Sequence, residues 1–358
     1  MAFIQNSILI FCFFAFFIGQ IFRPIFFGVS FPLIDFSIIL LSVFNLIFHI
    51  KNKSLKINNK YVFYFFLYSW VLFFISYFRF QTFSLNSLFY LIRLTCLLTL
   101  IVFPPKISQK QHNIFYLFII ANIIFGFIQY FFWPNFTYFD VNQWDPHLYR
   151  LVSTFFDPTF TGLIYLLFLI KIYFDKKFPY RKLLLIFSYL AIALTYSRST
   201  YLSFIIAFTF ISLSTKKIRP FLISLIIVLA TIFCLPRQSG EGTKLERTSS
   251  IAAKIENYQE GISLFSKHPI IGIGYNNISS FREIKNQKSH ANYGFDGSIL
   301  TLLITTGVIG TSLFLAGSKK YYQTLSLTKK TFIWAILVHS LFANSLLYPW
   351  TILALIFL

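Results

Sequence analysis

Three arginines stand in polar stretches between apolar segments of this sequence. Arg150 begins a polar, turn-rich stretch, Arg198 lies between two serines, and Arg247 shortly precedes an amphipathic segment. A guanidinium stays charged and binds phosphate oxygens in pairs, so three of them on one face suit a phosphate or a pyrophosphate leaving group. Arg150 is equally consistent with an interfacial anchor, and Arg247 with a solvated loop charge. For Arg198 we favour a functional role, because the tight hairpin that we predict around it has no need of a cation.

His290, Asp296 and His268 are the candidates for acid–base chemistry. A carboxylate or imidazole beside a sugar can take a proton from an attacking hydroxyl group. His268 precedes Pro269 at a predicted helix end, where a capping or surface role is the simpler explanation, and His290 is also consistent with a solvated side chain. The sequence shows no spacing of metal ligands, and we predict no metal and no cofactor.

The elements that must position these groups are predicted to be membrane helices. Hydrophobic residues make up 57% of the 358 and charged residues 12%, against roughly 25% charged in soluble domains. The 50 Phe and 21 Tyr occur in runs without an alternating period, which indicates helices and not a β-barrel. A net charge of +20 is also found in nucleic-acid-binding proteins, but here the basic residues form short clusters between apolar spans. We therefore predict an all-α polytopic membrane protein that does not bind nucleic acid.

About twelve apolar segments are predicted as membrane helices. The first six are each near the length that crosses the hydrocarbon core, and several of the later six are short enough to be tilted, paired or half-inserted. They form one integral membrane domain over residues 1–358, with two polar outer loops at 134–158 and 236–297. The twelve segments are 3–22, 31–50, 61–78, 84–103, 113–133, 159–174, 183–196, 200–213, 220–235, 298–316, 331–347 and 349–358.

The charge pattern predicts which face of the membrane each loop occupies. With a cytoplasmic N-terminus, the basic clusters all fall inside, as the positive-inside rule requires. Of the 11 acidic residues, only Asp175 falls on that side. This holds only if residues 183–213 are broken at Ser197-Arg198-Ser199 into two helices, which places Arg198 at the outer face. A fourth arginine, Arg93, lies in mid-span, where we expect a structural ion pair.

The longer outer loop is predicted to contain an amphipathic helix. Ile251, Ile255, Tyr258, Ile262 and Phe265 follow helical spacing over about four turns, and a proline follows. Such a helix lies along the membrane surface or covers a cavity that opens to the outside.

Four stretches of the outer segments, considered together, resemble the bacterial O-antigen polymerase and ligase family. Their order and spacing carry the likeness over residues 149 to 310. The stretches are Tyr149-Arg150-Leu151 to Phe156-Asp157-Pro158, Leu194 to Ser199, Glu246-Arg247 to His268-Pro269-Ile270-Ile271-Gly272-Ile273-Gly274, and Asp296-Gly297-Ser298 to Thr306-Gly307-Val308-Ile309-Gly310.

The resemblance implies a GT-C-like helical membrane fold and glycosyl transfer from an undecaprenyl-pyrophosphate-linked oligosaccharide without a metal. It also implies a site facing the periplasm on the bacterial inner membrane, and a chain-length regulator as partner. Arg150, Arg198 and Arg247 match the family's outer arginines, the expected pyrophosphate clamp. Family members, ligases especially, often have a histidine eleven residues before the final glycine motif, where this chain has Asp296.

This departure leaves two candidates for the catalytic base. We prefer Asp296 itself, and the alternative is that His290 reaches the site from the loop. The substitution favours a polymerase of O-antigen or capsule repeat units over the two other acceptor types, a ligase and a protein O-oligosaccharyltransferase. A transporter of lipid-linked sugar is less favoured, because apart from Arg93 the candidates gather at one face.

Overall fold

The computed structural model describes residues 2–26, 29–53, 59–81, 84–135, 147–236, 238, 241–282 and 294–358. It is a bundle of helices, with one very short β-hairpin after the first helix. The hairpin pairs β1 (Ile25–Phe26) with β2 (Val29–Ser30). The helices, in chain order, are α1 (Ala2–Ile18), α2 (Leu33–Lys51), α3 (Lys60–Phe80), α4 (Leu85–Val102), α5 (Gln109–Phe132), α6 (Pro158–Phe174), α7 (Arg181–Ala193), α8 (Arg198–Thr215), α9 (Arg219–Cys234), α10 (Ser249–Lys267), α11 (Ile278–Phe281), α12 (Ser298–Gln323), α13 (Leu327–His339) and α14 (Pro349–Phe357).

The long apolar helices are those of a multi-pass membrane protein. Within the described residues, α2, α3, α4, α5 and α12 are long and apolar enough to cross a membrane. Shorter apolar helices occupy Ile4–Ile18, Pro158–Phe174 and Arg219–Cys234. Each of the twelve predicted segments contains a helix in this part of the chain, and the number that cross a bilayer stays a prediction.

The predicted break around Arg198 is confirmed. The helix α7 ends at Ala193, and α8 begins at Arg198 with Ser197 as its N-cap, whose hydroxyl accepts the N–H of Thr200. Such a cap satisfies a backbone donor that the first turn of a helix leaves without a partner. The 331–347 segment differs from its prediction, because α13 ends at His339. The polar residues that follow and the proline that opens α14 interrupt the helix there.

The core of the bundle is built around α6. Every side chain from Leu163 to Ile170 is at most 3% exposed, so this helix is apolar on all sides and surrounded by other helices. It begins with Asp157 as N-cap, whose carboxylate accepts the N–H groups of Thr159 and Phe160, and with Pro158 in its first turn. This fixes the start of α6 beside the loop that carries Arg150.

The amphipathic helix is confirmed as α10, and only part of its apolar stripe packs on the bundle. Ile251, Ile255 and Ile262 are about half exposed, at 46%, 52% and 56%. Tyr258 and Phe265, the other two members of the stripe, pack against a buried apolar cluster that includes residues of α12. The helix therefore turns one edge of its stripe to the protein and leaves its isoleucines outside.

Candidate functional site

Asp296 lies immediately before α12, facing a cavity. Its backbone N–H donates to Asn257 Oδ1 on α10 at 2.6 Å, and its carboxylate lies 3.2 Å from the ammonium of Lys254. Gly297 separates Asp296 from the helix with a φ of +101°, a conformation that side chains other than glycine rarely adopt. Two residues of α10 and one turn therefore fix the position of this carboxylate.

The cavity that Asp296 faces is both polar and charged. It has a volume of about 450 Å³ and lies between the ends of several helices. Its lining includes the cations Arg23, Arg93 and Lys254 and the carboxylates Asp157 and Asp296. Such a mixture of charges suits a ligand with anionic and hydroxyl groups, and it is unlike an apolar packing defect.

Arg93 forms the ion pair predicted for it. Its guanidinium pairs with Asp35 of α2, and it lies over the ring of Tyr90. Arg23 is held nearby, with hydrogen bonds to Gln20 and Ser30. Burial, followed by the charge of Arg93, lowers the pKa of Arg23 from its ordinary value. The two arginines thus bring a positive field to one wall of the cavity.

Among the described residues, some buried polar atoms of the lining have no hydrogen-bond partner. They include Arg93 Nε, Asn276 Nδ2 and Asn344 Oδ1. Buried polar groups are normally paired, since an unsatisfied one costs about 1–3 kcal/mol. Two donors and one acceptor at a cavity wall fit a polar ligand there.

The arginines predicted from sequence form a second group next to this cavity. Arg150 is buried, with 7% of its surface exposed, and it donates from Nε to Thr195 O at 2.8 Å and from Nη2 to Tyr196 O at 3.4 Å. Burial, followed by the charge of Arg247, lowers the pKa of Arg150 to about 10, with a smaller effect from Arg198. Arg150 is therefore still charged at neutral pH, and the three guanidiniums are close enough to affect each other.

Arg198 and Arg247 are bound to the loop that precedes α10. Arg198 donates from Nη1 to Leu245 O and Arg247 O and from Nη2 to Ser250 Oγ, at 3.2, 3.1 and 2.7 Å. Arg247 donates from Nη1 to Gly242 O at 2.6 Å. The structure therefore brings the three predicted arginines together, but none of them lines the cavity of Asp296.

Asp157 connects the two groups. It lines the cavity, and its charge also raises the pKa of Arg150, which opposes the effect of burial. The N-cap of α6 thus lies between the arginine cluster (Arg150, Arg198 and Arg247) and the polar cavity.

The glycines of the third and fourth stretches form a backbone junction. Gly307 has a φ of +63° and interrupts α12, which frees the N–H groups of Val308 and Ile309 to donate to Pro269 O and Ile270 O. A Cβ on Gly307 would lie 2.1 Å from Ile270 O, and one on Gly272 would lie 2.6 Å from Ile304 O. The Gly272-Ile273-Gly274 run is therefore a turn packed on the kinked helix, and it holds the end of α10 against α12.

Comparison with models of known protein families finds a match between residues 183–315 and the O-antigen ligase family. This match supports the predicted resemblance to the O-antigen polymerase and ligase family over these residues. The matched segment runs from α7 to α12 and contains Arg198, Arg247 and Asp296, whereas Arg150 precedes it. The match supports a role in O-antigen processing and a glycosyl-transfer class of protein. A search of curated proteins found no significant match to this chain.

A buried histidine that sequence reasoning missed lies just outside the O-antigen ligase family segment. The Nε2 of His339, at the end of α13, is 3.1 Å from Thr159 O, and its Nδ1 is 2.6 Å from Ser345 Oγ. A carbonyl oxygen only accepts, so Nε2 carries the proton and Nδ1 accepts from the serine hydroxyl. His339 thus joins α13 to the start of α6. An ionisable residue within a predicted apolar segment was the signal that could have identified it.

The structure describes one of the two histidines that were predicted from the sequence. His268 caps the end of α10, and its ring packs against Phe80 and Phe281. Burial, followed by the charge of Arg79, lowers the pKa of His268. This is the capping role that was the simpler expectation. His290 lies outside the described residues.

Proposed function

We propose that this protein polymerises undecaprenyl-pyrophosphate-linked oligosaccharide repeats into O-antigen or capsular polysaccharide at the outer face of the cytoplasmic membrane. The observation that carries the proposal is the position of Asp296. Within the segment that matches the O-antigen ligase family, it faces a charged cavity. The resemblance implies that relatives often have a histidine at this position.

In the proposed reaction, Asp296 is the base. It takes the proton of the acceptor hydroxyl, whose oxygen then bonds to C1 of the donor sugar. The bond between C1 and the pyrophosphate oxygen breaks, and the electron pair leaves with the pyrophosphate. The ammonium of Lys254, 3.2 Å from the carboxylate, orients Asp296 towards the acceptor.

The leaving pyrophosphate needs positive charge where its own charge develops. We propose Arg150, Arg198 and Arg247 for this role, as the resemblance implies, with Asp157 between them and the cavity. A guanidinium has five N–H donors, more than Arg150 and Arg198 use in the bonds described above. The cations Arg23, Arg93 and Lys254 line the same cavity as Asp296 and supply further positive charge.

A ligase is the second candidate, because the matching family is described as O-antigen ligase. The chemistry at C1 is the same, and only the acceptor changes, to lipid A core or to a protein in an oligosaccharyltransferase. The carboxylate at position 296, in place of the histidine common in ligases, favours the polymerase.

The polysaccharide profile of a deletion strain tests the choice. For a polymerase, we expect long chains to disappear while a single repeat stays attached to lipid A core, and the wild-type gene to restore the long chains. Loss of every attached glycan, with long lipid-linked chains accumulating, would indicate a ligase. An unchanged profile would contradict both.

A further inference from the structure

A stack of three aromatic rings lies along the wall of the charged cavity that Asp296 faces. The rings of Phe160 and Tyr348 are nearly parallel, with centroids 4.0 Å apart and 15° between their planes. The ring of Tyr348 lies 4.9 Å from that of Trp350, at 30°. All three residues line the cavity, and we call them the aromatic stack.

The aromatic stack is buried at one end and partly exposed at the other. Trp350 is 1% exposed, and the ring of Phe155 packs edge-on against it at 6.0 Å. Phe160, at the opposite end, is partly exposed, and Tyr348 covers one of its faces. The surface that Phe160 offers to the cavity is therefore its other face and its edge.

The position of Phe160 is fixed by the protein itself. Its backbone N–H donates to Asp157 Oδ1 at 3.2 Å in the N-cap of α6, and its ring rests on that of Tyr348. A surface that is already in place loses little conformational freedom when a ligand binds. The aromatic stack is thus a preformed contact surface in the wall of the cavity.

The same cavity has amide side chains that suit hydroxyl groups. Asn344 Oδ1 is buried without a partner, and Asn344 lies on the same segment as Tyr348. Asn257 lines the cavity and accepts the backbone N–H of Asp296. An amide both donates and accepts, so these two residues can bond to hydroxyl groups in either direction.

An aromatic face together with amides matches a pyranose ring. One face of a pyranose carries C–H groups, and the negative face of an aromatic ring attracts their positive hydrogens. The hydroxyl groups stand at the rim of the sugar, where they require donors and acceptors. A phosphate gains nothing from an aromatic face, since both are negative. This wall of the cavity therefore fits a sugar better than an anion.

The arginine cluster indicates which sugar meets the aromatic stack. None of its three arginines lines this cavity, whereas Asp296 does. In the proposed function, the arginine cluster holds the donor by its pyrophosphate, and Asp296 acts on a hydroxyl of the acceptor. A cavity that has the base but not the arginine cluster is suited to the acceptor.

We propose that the aromatic stack binds the non-reducing-end sugar of the acceptor repeat, with one face of the sugar on Phe160 and a hydroxyl group towards Asp296. This acceptor subsite rests on the proposed function. It also sets specificity, because an axial substituent on the stacked face would lift the sugar from Phe160 and move its hydroxyl group away from the base.

Saturation-transfer difference NMR on the full-length protein in nanodiscs tests the acceptor subsite. The probe is the single repeat without its lipid, released from undecaprenyl-pyrophosphate-linked repeats by mild acid, and empty nanodiscs are the blank. We expect the strongest saturation at C–H protons on one face of the non-reducing-end sugar. Strongest saturation at the reducing-end sugar, even saturation over the whole repeat, or none above the blank would overturn the proposal.

Substitutions at Phe160 test the ring itself. Phe160→Leu should weaken binding of the single repeat about two- to tenfold, the size of an aromatic contact, whereas Phe160→Tyr should bind like the wild type. Phe187→Leu is the control, since Phe187 is exposed on α7 and does not line the cavity. Unchanged binding in Phe160→Leu would contradict the stacking. If that variant does not fold, the distribution of saturation measured with the wild type decides alone.

Binding of the lipid-free repeat requires no glycosyl transfer. A protein that binds the repeat through its non-reducing-end sugar but does not elongate lipid-linked repeats would retain the acceptor subsite and refute the polymerase. Elongation by Phe160→Leu with the KM of the wild type for the acceptor would refute the subsite and leave the polymerase standing.

Discussion

The ammonium of Lys254 on α10 lies 3.2 Å from the carboxylate of Asp296, just before α12. Lys254 also bonds to Phe342 O, so one side chain ties the amphipathic helix both to the candidate base and to the segment that follows α13. The helix α10 is therefore part of the candidate site and not only its cover.

Replacing Asp296 is expected to abolish transfer without unfolding the protein. A general base contributes about 10²- to 10⁴-fold to a rate, and the backbone N–H that bonds to Asn257 stays in place in Asp296→Asn. Asp296→His should retain part of the activity, since an imidazole can take the same proton. Initial rates of chain elongation measure both variants. An Asp296→Asn protein as active as the wild type would exclude Asp296 as the base.

Lys254→Met should reduce activity about tenfold and change stability little. Both side chains of the ion pair are 36% exposed, and exposed pairs contribute only about 0.2–1 kcal/mol to stability. The orientation of Asp296 depends on the pair, so kcat should fall more than the thermal midpoint. Lys244→Met, on the exposed loop before α10, is the control. Equal losses of activity and of folded protein in Lys254→Met would assign it a structural role.

Arg198→Lys should release the loop that precedes α10. A lysine keeps the charge but cannot reproduce the planar fork that bonds to Leu245 O, Arg247 O and Ser250 Oγ. We expect faster hydrogen exchange over residues 244–250 than in the wild type. The control is Arg219→Lys, at the start of α9. Unchanged exchange in Arg198→Lys would show that these bonds do not hold the loop.

Gly307→Ala should prevent the protein from folding. The added Cβ would lie 2.1 Å from Ile270 O, in a backbone conformation with a φ of +63° that is strained for alanine. Gly294→Ala is the control, because among the described residues its Cβ would meet only Asn344 Nδ2 at 3.5 Å. The yield of monodisperse protein after detergent extraction measures both. A well-folded Gly307→Ala protein would contradict the described junction with α12.

The sequence predicted the helices and the types of functional residue better than it predicted which of those residues lie together. Local pattern predicted the apolar helices, the break at Arg198 and the helix α10, and each is present. The cost of a buried charge predicted the ion pair of Arg93, which is also present. The cavity is built by Arg23, Lys254 and Asp296, which lie far apart in the chain, and only the packing of the helices brings them together. No periodicity in a single sequence records such a contact.

The buried face of α10 is a second feature that the sequence did not determine. Its isoleucines follow the spacing of a packed stripe, yet they are exposed, whereas Tyr258 and Phe265 of the same stripe pack against the protein. In a membrane an apolar stripe can face lipid as well as protein, so the stripe alone does not determine which face is buried.

Elongation by purified protein is the most direct test of the central claim. Wild-type protein and Asp296→Asn, in nanodiscs, are incubated with undecaprenyl-pyrophosphate-linked single repeats, and the lipid-linked products are separated by length. We predict a ladder of longer chains with the wild type and single repeats only with Asp296→Asn. Wild-type protein that leaves the repeats unchanged but transfers them to added lipid A core would contradict the polymerase, and equal ladders from both proteins would contradict the role of Asp296.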